Sequence, residues 1–106
     1  MYMVLYRFRE GTGGRPRGYA EVQSLQALDG DFVALAMKYD GFPMLSRIRR
    51  YRNLVLARGN EALDLVDELN RLLRLVEEDE VDLVQRLRNL ALNCFGDDHE
   101  IHFEIS

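Results

Sequence analysis

Four arginines stand close together near the middle of the chain, in the run RIRRYR. They are Arg47, Arg49, Arg50 and Arg52. Arginine forms forked pairs with carboxylates and phosphates, so such a cluster on a helix could contact nucleic acid or an acidic protein. At about 100° per residue, however, the four spread over most of the circumference outside the apolar side. The spacing therefore favours a solvated helix whose arginines pair with acidic helices of the same chain.

A glycine-rich run, GTGGRPRG over Gly11 to Gly18, follows the first predicted strand, as phosphate-binding loops do. It lacks the Lys-Ser/Thr ending of a P-loop, and Pro16 stands where a dinucleotide-binding loop needs glycine. The composition is typical of a mobile surface loop. In that loop Arg15 and Arg17 are predicted to serve as adaptable contacts for a partner.

Glu100, His102 and Glu104 alternate along the last predicted strand, and residues two apart on a strand lie on the same face. Histidine beside carboxylates can hold a metal ion or act as a base, so a small metal-dependent hydrolase is one hypothesis. A polar row is equally typical of a strand face turned to water, which is the interpretation preferred here. His99 is predicted on the opposite face of the strand.

Two further groups have chemical potential. Acidic residues crowd the junction of the last two predicted helices, but they lack the ligand spacing of a calcium loop and suit the positive end of a helix dipole. Cys94 falls on an apolar helix side, which is typical of an inert buried thiol. The sequence thus predicts no catalytic residue, no metal site and no cofactor.

Size and composition limit the possibilities. The 106 residues are 47% hydrophobic and 30% charged, as expected for a single globular domain over residues 1–106. The longest apolar run, Phe32 to Met37, is far too short to cross a membrane, so no membrane partner is expected. A lone cysteine suits a reducing compartment, and the cytoplasm is the predicted location.

The charges are divided unequally along the chain. Residues 1–58 carry ten Lys/Arg and five Asp/Glu, a net charge of +5, whereas residues 59–106 carry four Arg and thirteen Asp/Glu, a net charge of −9. Either the two halves pair internally or they form separate basic and acidic surfaces. The basic residues lie mainly in the glycine-rich loop and on the first predicted helix, and the acidic residues lie on the two helices expected to pack beside it. This arrangement favours internal pairing of the charges.

Strands are predicted at both ends of the chain. Tyr2 to Arg9 and His99 to Ile105 alternate apolar and other residues, which indicates strands. Tyr19 to Leu28 and Asp31 to Tyr39 form a predicted hairpin around Asp29-Gly30, because Asp-Gly is a common two-residue turn. A short helix is the alternative for Tyr19 to Leu28.

Three helices are predicted between the strands. The first runs from Pro43 to the glycine Gly59, with an apolar side of Met44, Ile48, Tyr51 and Val55. The second begins after Asn60 and carries the clearest apolar side, formed by Ala62, Leu65, Val66, Leu69, Leu72, Leu73 and Val76. The third runs from about Asp79, its expected N-cap, to Phe95, and Gly96 ends it.

The order β-β-β-α-α-α-β predicts an α+β fold, an antiparallel sheet with helices packed on one face. Within it, Tyr39-Asp40-Gly41-Phe42-Pro43 resembles a turn in small uncharacterised proteins of phages and of related bacterial and archaeal genomes. In those proteins the turn joins a strand to a helix, and His often precedes the Asp by two positions, where this chain has Lys38. The resemblance implies no known activity.

The first hypothesis for function is a small non-enzymatic binding protein, of phage or mobile-element type, that contacts a protein partner or a second copy of itself. Apolar residues outside the predicted core sides support a homodimer: they are Leu63, Leu75, Val81 and Leu92. The alternative is a nucleic-acid-binding protein that uses the arginines of the first helix, and the metal-dependent hydrolase is the third hypothesis.

Overall fold

The four strands of the described part of the chain form one antiparallel sheet in the order β2-β1-β4-β3. The structure, a computed structural model, describes residues 2–9, 18–26, 31–50, 52–94 and 98–104, of which residues 2–9, 18–20 and 50 are described by their backbone alone. The strands are β1 (Tyr2–Arg9), β2 (Gly18–Gln26), β3 (Leu54–Arg58) and β4 (His99–Glu104). The α+β class and the antiparallel sheet agree with the sequence prediction.

The helices are α1 (Asp31–Lys38), α2 (Pro43–Ser46), α3 (Glu61–Leu72) and α4 (Glu78–Leu92), and a 3₁₀ turn over Arg47–Arg50 follows α2 directly. Helices α3 and α4 pack on each other, and they contact the sheet at β3 and at β1 and β2 respectively. Ile101 and Phe103 of β4 are fully buried in the resulting core. No helix in the described ranges is long and apolar enough to cross a membrane.

The predicted third strand is instead helix α1. Phe32, Leu35 and Ala36 are buried, which is the i, i+3, i+4 spacing of a helix side, while Met37 is 63% exposed. A run of six apolar residues satisfies both the strand and the helix patterns, so its periodicity did not decide between them. The predicted turn at Asp29-Gly30 lies outside the described residues.

The predicted first helix is wrong beyond Arg50. Met44 and Ile48 are buried as expected, but the chain then leaves the helical path, and Leu54–Arg58 forms the edge strand β3. Gly59 therefore ends a strand rather than a helix. Its φ of +49° lies in the left-handed region that glycine adopts without strain, and its N–H donates to the His99 carbonyl at 2.9 Å.

The apolar side predicted for the second helix is confirmed within α3, whereas Leu73 and Val76, the last two residues of that predicted side, lie beyond Leu72 and are only partly buried. Ala62, Leu65, Val66, Leu69 and Leu72 are all buried. On α4 the cap differs, because Glu77 rather than Asp79 precedes the helix and forms a capping box with Glu80. Leu63, Leu75 and Leu92 are more than half exposed, as predicted, whereas Val81 is only partly exposed.

Candidate functional site

The arginine cluster does not lie on a continuous helix. Arg47, Arg49 and Arg50 belong to the 3₁₀ turn, and Arg52 follows that turn just before β3. The side chain of Arg50 is not among the described groups, and the loop that carries Arg15 and Arg17 lies outside the described residues.

Arg49 holds the end of α1. Its Nε donates to the carbonyl of Ala36, and its Nη2 donates to the Tyr39 carbonyl at 3.2 Å and to Asp40 Oδ1 at 2.7 Å. The last carbonyls of a helix have no partner within the helix, so a guanidinium that reaches them caps its C-terminus. Arg49 thus has a structural role that the sequence did not predict.

Arg47 joins the same turn to β3 and α3. Its Nη1 donates to the carbonyl of Leu56 at 2.9 Å, and its Nη2 lies 3.3 Å from Glu61 Oε2. The other oxygen of Glu61 accepts the backbone N–H of Arg58 at 3.1 Å. These contacts fix the direction of the Arg47 guanidinium, although 43% of the side chain remains exposed.

A cleft of about 480 Å³ opens beside this guanidinium. We call it the arginine-lined cleft, and its described lining residues are Ser46, Arg47, Arg52, Leu54 and Val55. Arg52 is exposed and has no hydrogen bond or ion pair in the described part of the chain, so its guanidinium is available to a ligand. The half-buried Leu54 and Val55 add apolar surface next to the two cations.

Other basic residues of the first half pair with acids of the second half. Lys38 Nζ lies 3.1 Å from Glu80, Arg47 pairs with Glu61, and Arg58 Nε lies 3.6 Å from Glu100. The internal pairing predicted from the charge distribution is therefore confirmed at these positions. Among the basic residues of the first half whose side chains are described, Arg49 pairs within its own half, with Asp40, and the exposed Arg52 has no ion pair.

The Tyr39 to Pro43 turn is anchored by Glu68 of α3. This carboxylate is only 5% exposed, and it accepts the backbone N–H groups of Met44, at 2.9 and 3.0 Å, and Leu45, at 3.2 Å. It thereby caps the start of α2, where Phe42 offers no side-chain cap. In contrast to the prediction, the turn follows a helix rather than a strand.

The acidic residues at the start of α4 make contacts within the fold. Oxygens of Glu77, Asp79 and Glu80 lie within 4.8 Å of one another. Glu80 Oε1 already accepts from Lys38 Nζ, from the Tyr39 hydroxyl at 2.7 Å and from the Glu77 N–H at 3.0 Å. These contacts connect the end of α1 to the start of α4.

The same contacts shift three pKa values. The hydrogen bond with Glu80 raises the pKa of Lys38, and that bond together with burial raises the pKa of Tyr39. Partial burial alone would raise the pKa of Glu80, but hydrogen bonds from Tyr39, from the Glu77 N–H and from Lys38 outweigh it, so the pKa is lowered. The ionised form of Glu80 is therefore the one that the fold stabilises.

The polar row of β4 is less exposed than predicted. Glu100 is buried, at 9% exposed, and its carboxylate lies 3.4 Å from His102 Nε2 and 3.6 Å from Arg58 Nε. His99 instead lies beside Asp98, with Nδ1 2.9 Å from its carboxylate. The ion pair with Arg58 and the contact with His102 account for a carboxylate buried at this position.

Cys94 occupies the core, as predicted. It is 4% exposed, and burial raises the pKa of its thiol to about 11. The thiol therefore stays protonated near neutral pH and has little nucleophilic character.

Comparisons with models of protein families, with curated proteins and with solved structures give no match for this chain. The functional argument accordingly starts from the geometry of the arginine-lined cleft.

Proposed function

We propose that this chain is a small non-enzymatic binding protein that takes an acidic segment of a protein partner in the arginine-lined cleft. The observation that supports the proposal is the free guanidinium of Arg52 beside the oriented guanidinium of Arg47. A carboxylate accepts two parallel hydrogen bonds from one guanidinium, and this geometry recurs where proteins recognise acidic side chains.

The apolar walls define the ligand further. Leu54 and Val55 lie next to the cations, so an acidic residue flanked by an apolar one would match both parts of the surface. Ser46 Oγ donates to the Pro43 carbonyl at 2.7 Å and keeps its own lone pairs, which can accept a backbone N–H of the bound segment.

A nucleic acid fits this surface less well. Arg49 is occupied by backbone carbonyls and by Asp40, so it does not extend the basic surface around Arg52. Glu61 lies 3.3 Å from Arg47, and the chain carries a net charge of −4. A long polyanion would meet repulsion that a short acidic peptide segment avoids.

Fluorescence anisotropy with a short fluorescein-labelled peptide of Glu and Leu tests the proposal. We expect saturable binding that the Arg52→Ala variant weakens by about tenfold, equivalent to ~1.4 kcal/mol. The matched control is Arg74→Ala, which removes one exposed arginine that does not line the cleft. A peptide in which Gln replaces Glu should not bind.

Equal affinity of the wild type and Arg52→Ala would contradict the proposal, as would equal binding of the Gln peptide. Labelled double- and single-stranded DNA serve as competing probes. Stronger binding to DNA than to the peptide, lost in Arg52→Ala, would instead support the nucleic-acid alternative.

The compartment and the origin of the protein are also proposals. A cytoplasmic location rests on the single cysteine, whose thiol is buried, and subcellular fractionation tests it. A phage or mobile-element origin rests on the resemblance of the Tyr39 to Pro43 turn, and the genes that neighbour its own would test that.

A further inference from the structure

Glu61 lies beside the arginine-lined cleft without being one of its described lining residues. Its Oε2 lies 3.3 Å from Arg47 Nη2, and its Oε1 accepts the backbone N–H of Arg58 at 3.1 Å. Gly59, whose φ is +49°, turns the chain between Arg58 and Glu61, so this carboxylate is bonded to the backbone of its own turn. The negative charge of Glu61 is therefore held in place next to the cleft.

This charge offsets one of the two guanidinium groups of the cleft. The neighbouring guanidinium of Arg58 does not cancel it, because that group is directed to Glu100, with Nε 3.6 Å from Oε2. Among the described groups, Arg47 and Arg52 together with Glu61 leave a net charge of +1 at the cleft. A ligand group with one negative charge balances this excess, and a group with two negative charges exceeds it.

Two anionic groups of a protein segment could pair with these guanidinium groups. The carboxylate of Asp or Glu carries one negative charge, whereas the phosphate monoester of a phosphorylated serine carries about −1.5 to −2 at pH 7. By Coulomb's law the repulsion from Glu61 grows in proportion to the charge of the ligand, so the phosphate is repelled about twice as strongly as the carboxylate. The fixed carboxylate therefore discriminates between the two groups.

We propose that Glu61 is a specificity-determining residue of the arginine-lined cleft, which makes the cleft select a carboxylate over a phosphate monoester in the bound segment. The inference rests on the proposed function of the cleft and names the anion that it takes. Arg47 donates to Leu56 and Glu61, but a guanidinium has further N–H donors that remain for a ligand. The ion pair thus lowers the charge of the site without closing it.

Fluorescence anisotropy with two labelled peptides tests the inference. Both consist of Gly and Leu around a single variable residue, which is Glu in one peptide and phosphoserine in the other. The wild type should bind the Glu peptide more tightly. In Glu61→Gln the affinity for the Glu peptide should rise about threefold and that for the phosphoserine peptide about tenfold, because the repulsion that is removed scales with the charge of the ligand. The preference for the Glu peptide should consequently fall about threefold.

The matched control is Glu78→Gln, which removes the same charge from an exposed position of α4 that does not line the cleft. It should leave both affinities unchanged. Glutamine at position 61 keeps an oxygen that can accept the Arg58 N–H, and circular dichroism establishes that both variants fold. The effect of Glu61→Gln should also shrink as the salt concentration rises, since salt screens a repulsion between exposed charges.

Two results would overturn the role of Glu61 and leave the proposed function standing. One is a ratio of the two affinities that is the same in the wild type and in Glu61→Gln, and the other is a wild type that binds the phosphoserine peptide more tightly than the Glu peptide. Failure of the proposed function gives a different result. In that case neither the wild type nor Glu61→Gln would bind either peptide, which would contradict the function of the cleft and the inference together.

Discussion

Replacing Glu68 by glutamine is expected to destabilise the fold by about 1.5–3 kcal/mol. The carboxylate accepts backbone N–H groups of Met44 and Leu45 at 2.9 to 3.2 Å in a site that is 5% exposed. The amide of glutamine keeps one accepting oxygen, but its NH₂ group is a donor and would face a backbone N–H of Met44 or Leu45, which is also a donor. Loss of a hydrogen bond to a charged group, with a backbone donor left unpaired, accounts for the magnitude.

The assay is urea unfolding followed by circular dichroism, with thermal unfolding as a second measure. A loss of about 2 kcal/mol corresponds to a Tm lowered by about 10 °C for a domain of this size. Glu68→Ala removes both accepting oxygens and should lose about 3–4 kcal/mol. The control is Asp67→Asn, which removes one negative charge from the neighbouring, exposed position of α3.

Hydrogen exchange separates capping from a general effect of burial. The amides of Met44 and Leu45 should exchange faster in Glu68→Gln under conditions where amides in the middle of α3 keep their protection. If Glu68→Gln and Asp67→Asn unfold at the same urea concentration, the capping role assigned to Glu68 is refuted. Unchanged exchange at Met44 and Leu45 would refute it equally.

Two further predictions concern contacts at the C-terminal end of α1. Arg49→Lys should lower the free energy of unfolding in urea by about 1–2 kcal/mol, because one ammonium cannot reach both carbonyls and Asp40. The control Arg74→Lys should leave that free energy unchanged. Equal stability of the two variants would refute the capping of α1 by Arg49. Glu80→Gln should have a lower Tm than the wild type at pH 7, and the difference should shrink as the pH falls below the ordinary pKa range of a glutamate carboxyl. A lowered pKa in the folded state gives stability that is complete at neutral pH and is lost as the pH falls through it. A difference that does not change with pH would contradict the ionised role of Glu80.

The helices and strands that were predicted correctly are those whose own residues show a regular apolar period. β1 and β4 show a clear period of two residues, and α3 shows a period of 3.6 residues. Both strands and the start of α3 lie within two residues of their predicted bounds, whereas α3 ends at Leu72, four residues before the end of its predicted apolar side. The apolar side of α3 also identified its buried hydrophobic residues. The α+β class followed from the order of these elements.

The wrong elements depend on contacts with distant residues. α1 ends where Arg49, ten or more residues later in the chain, binds its carbonyls. β3 exists because its backbone pairs with β4, more than forty residues away. The apolar residues from Met44 to Val55 recur at helical spacing, so they predicted one continuous helix. No local feature of the sequence shows that residues from Leu54 onwards pair with another strand instead.

The candidate site was predicted in part. The sequence identified Arg47 and Arg52, but it could not show that Arg47 and Arg49 are held by backbone carbonyls while Arg52 is free. Glu68 was missed for a similar reason. A single acidic residue on a helix gives no local signal that it is buried. Glu68 is buried because its carboxylate accepts backbone N–H groups of α2, which the sequence does not place next to it.

The position of β4 has a consequence for the order of folding. β4 lies between β1 and β3 in the sheet, yet about ninety residues separate it from β1 in the chain. During synthesis, α3 and α4 can form while β1 and β3 still lack the strand that joins them. The sheet can close only after residues 99–104 have left the ribosome, so the pairing of β4 with β1 and β3 is a late, long-range step. Until then the edges of β1 and β3 are exposed together, and this interval is when the chain is most open to pairing with another copy in the wrong register.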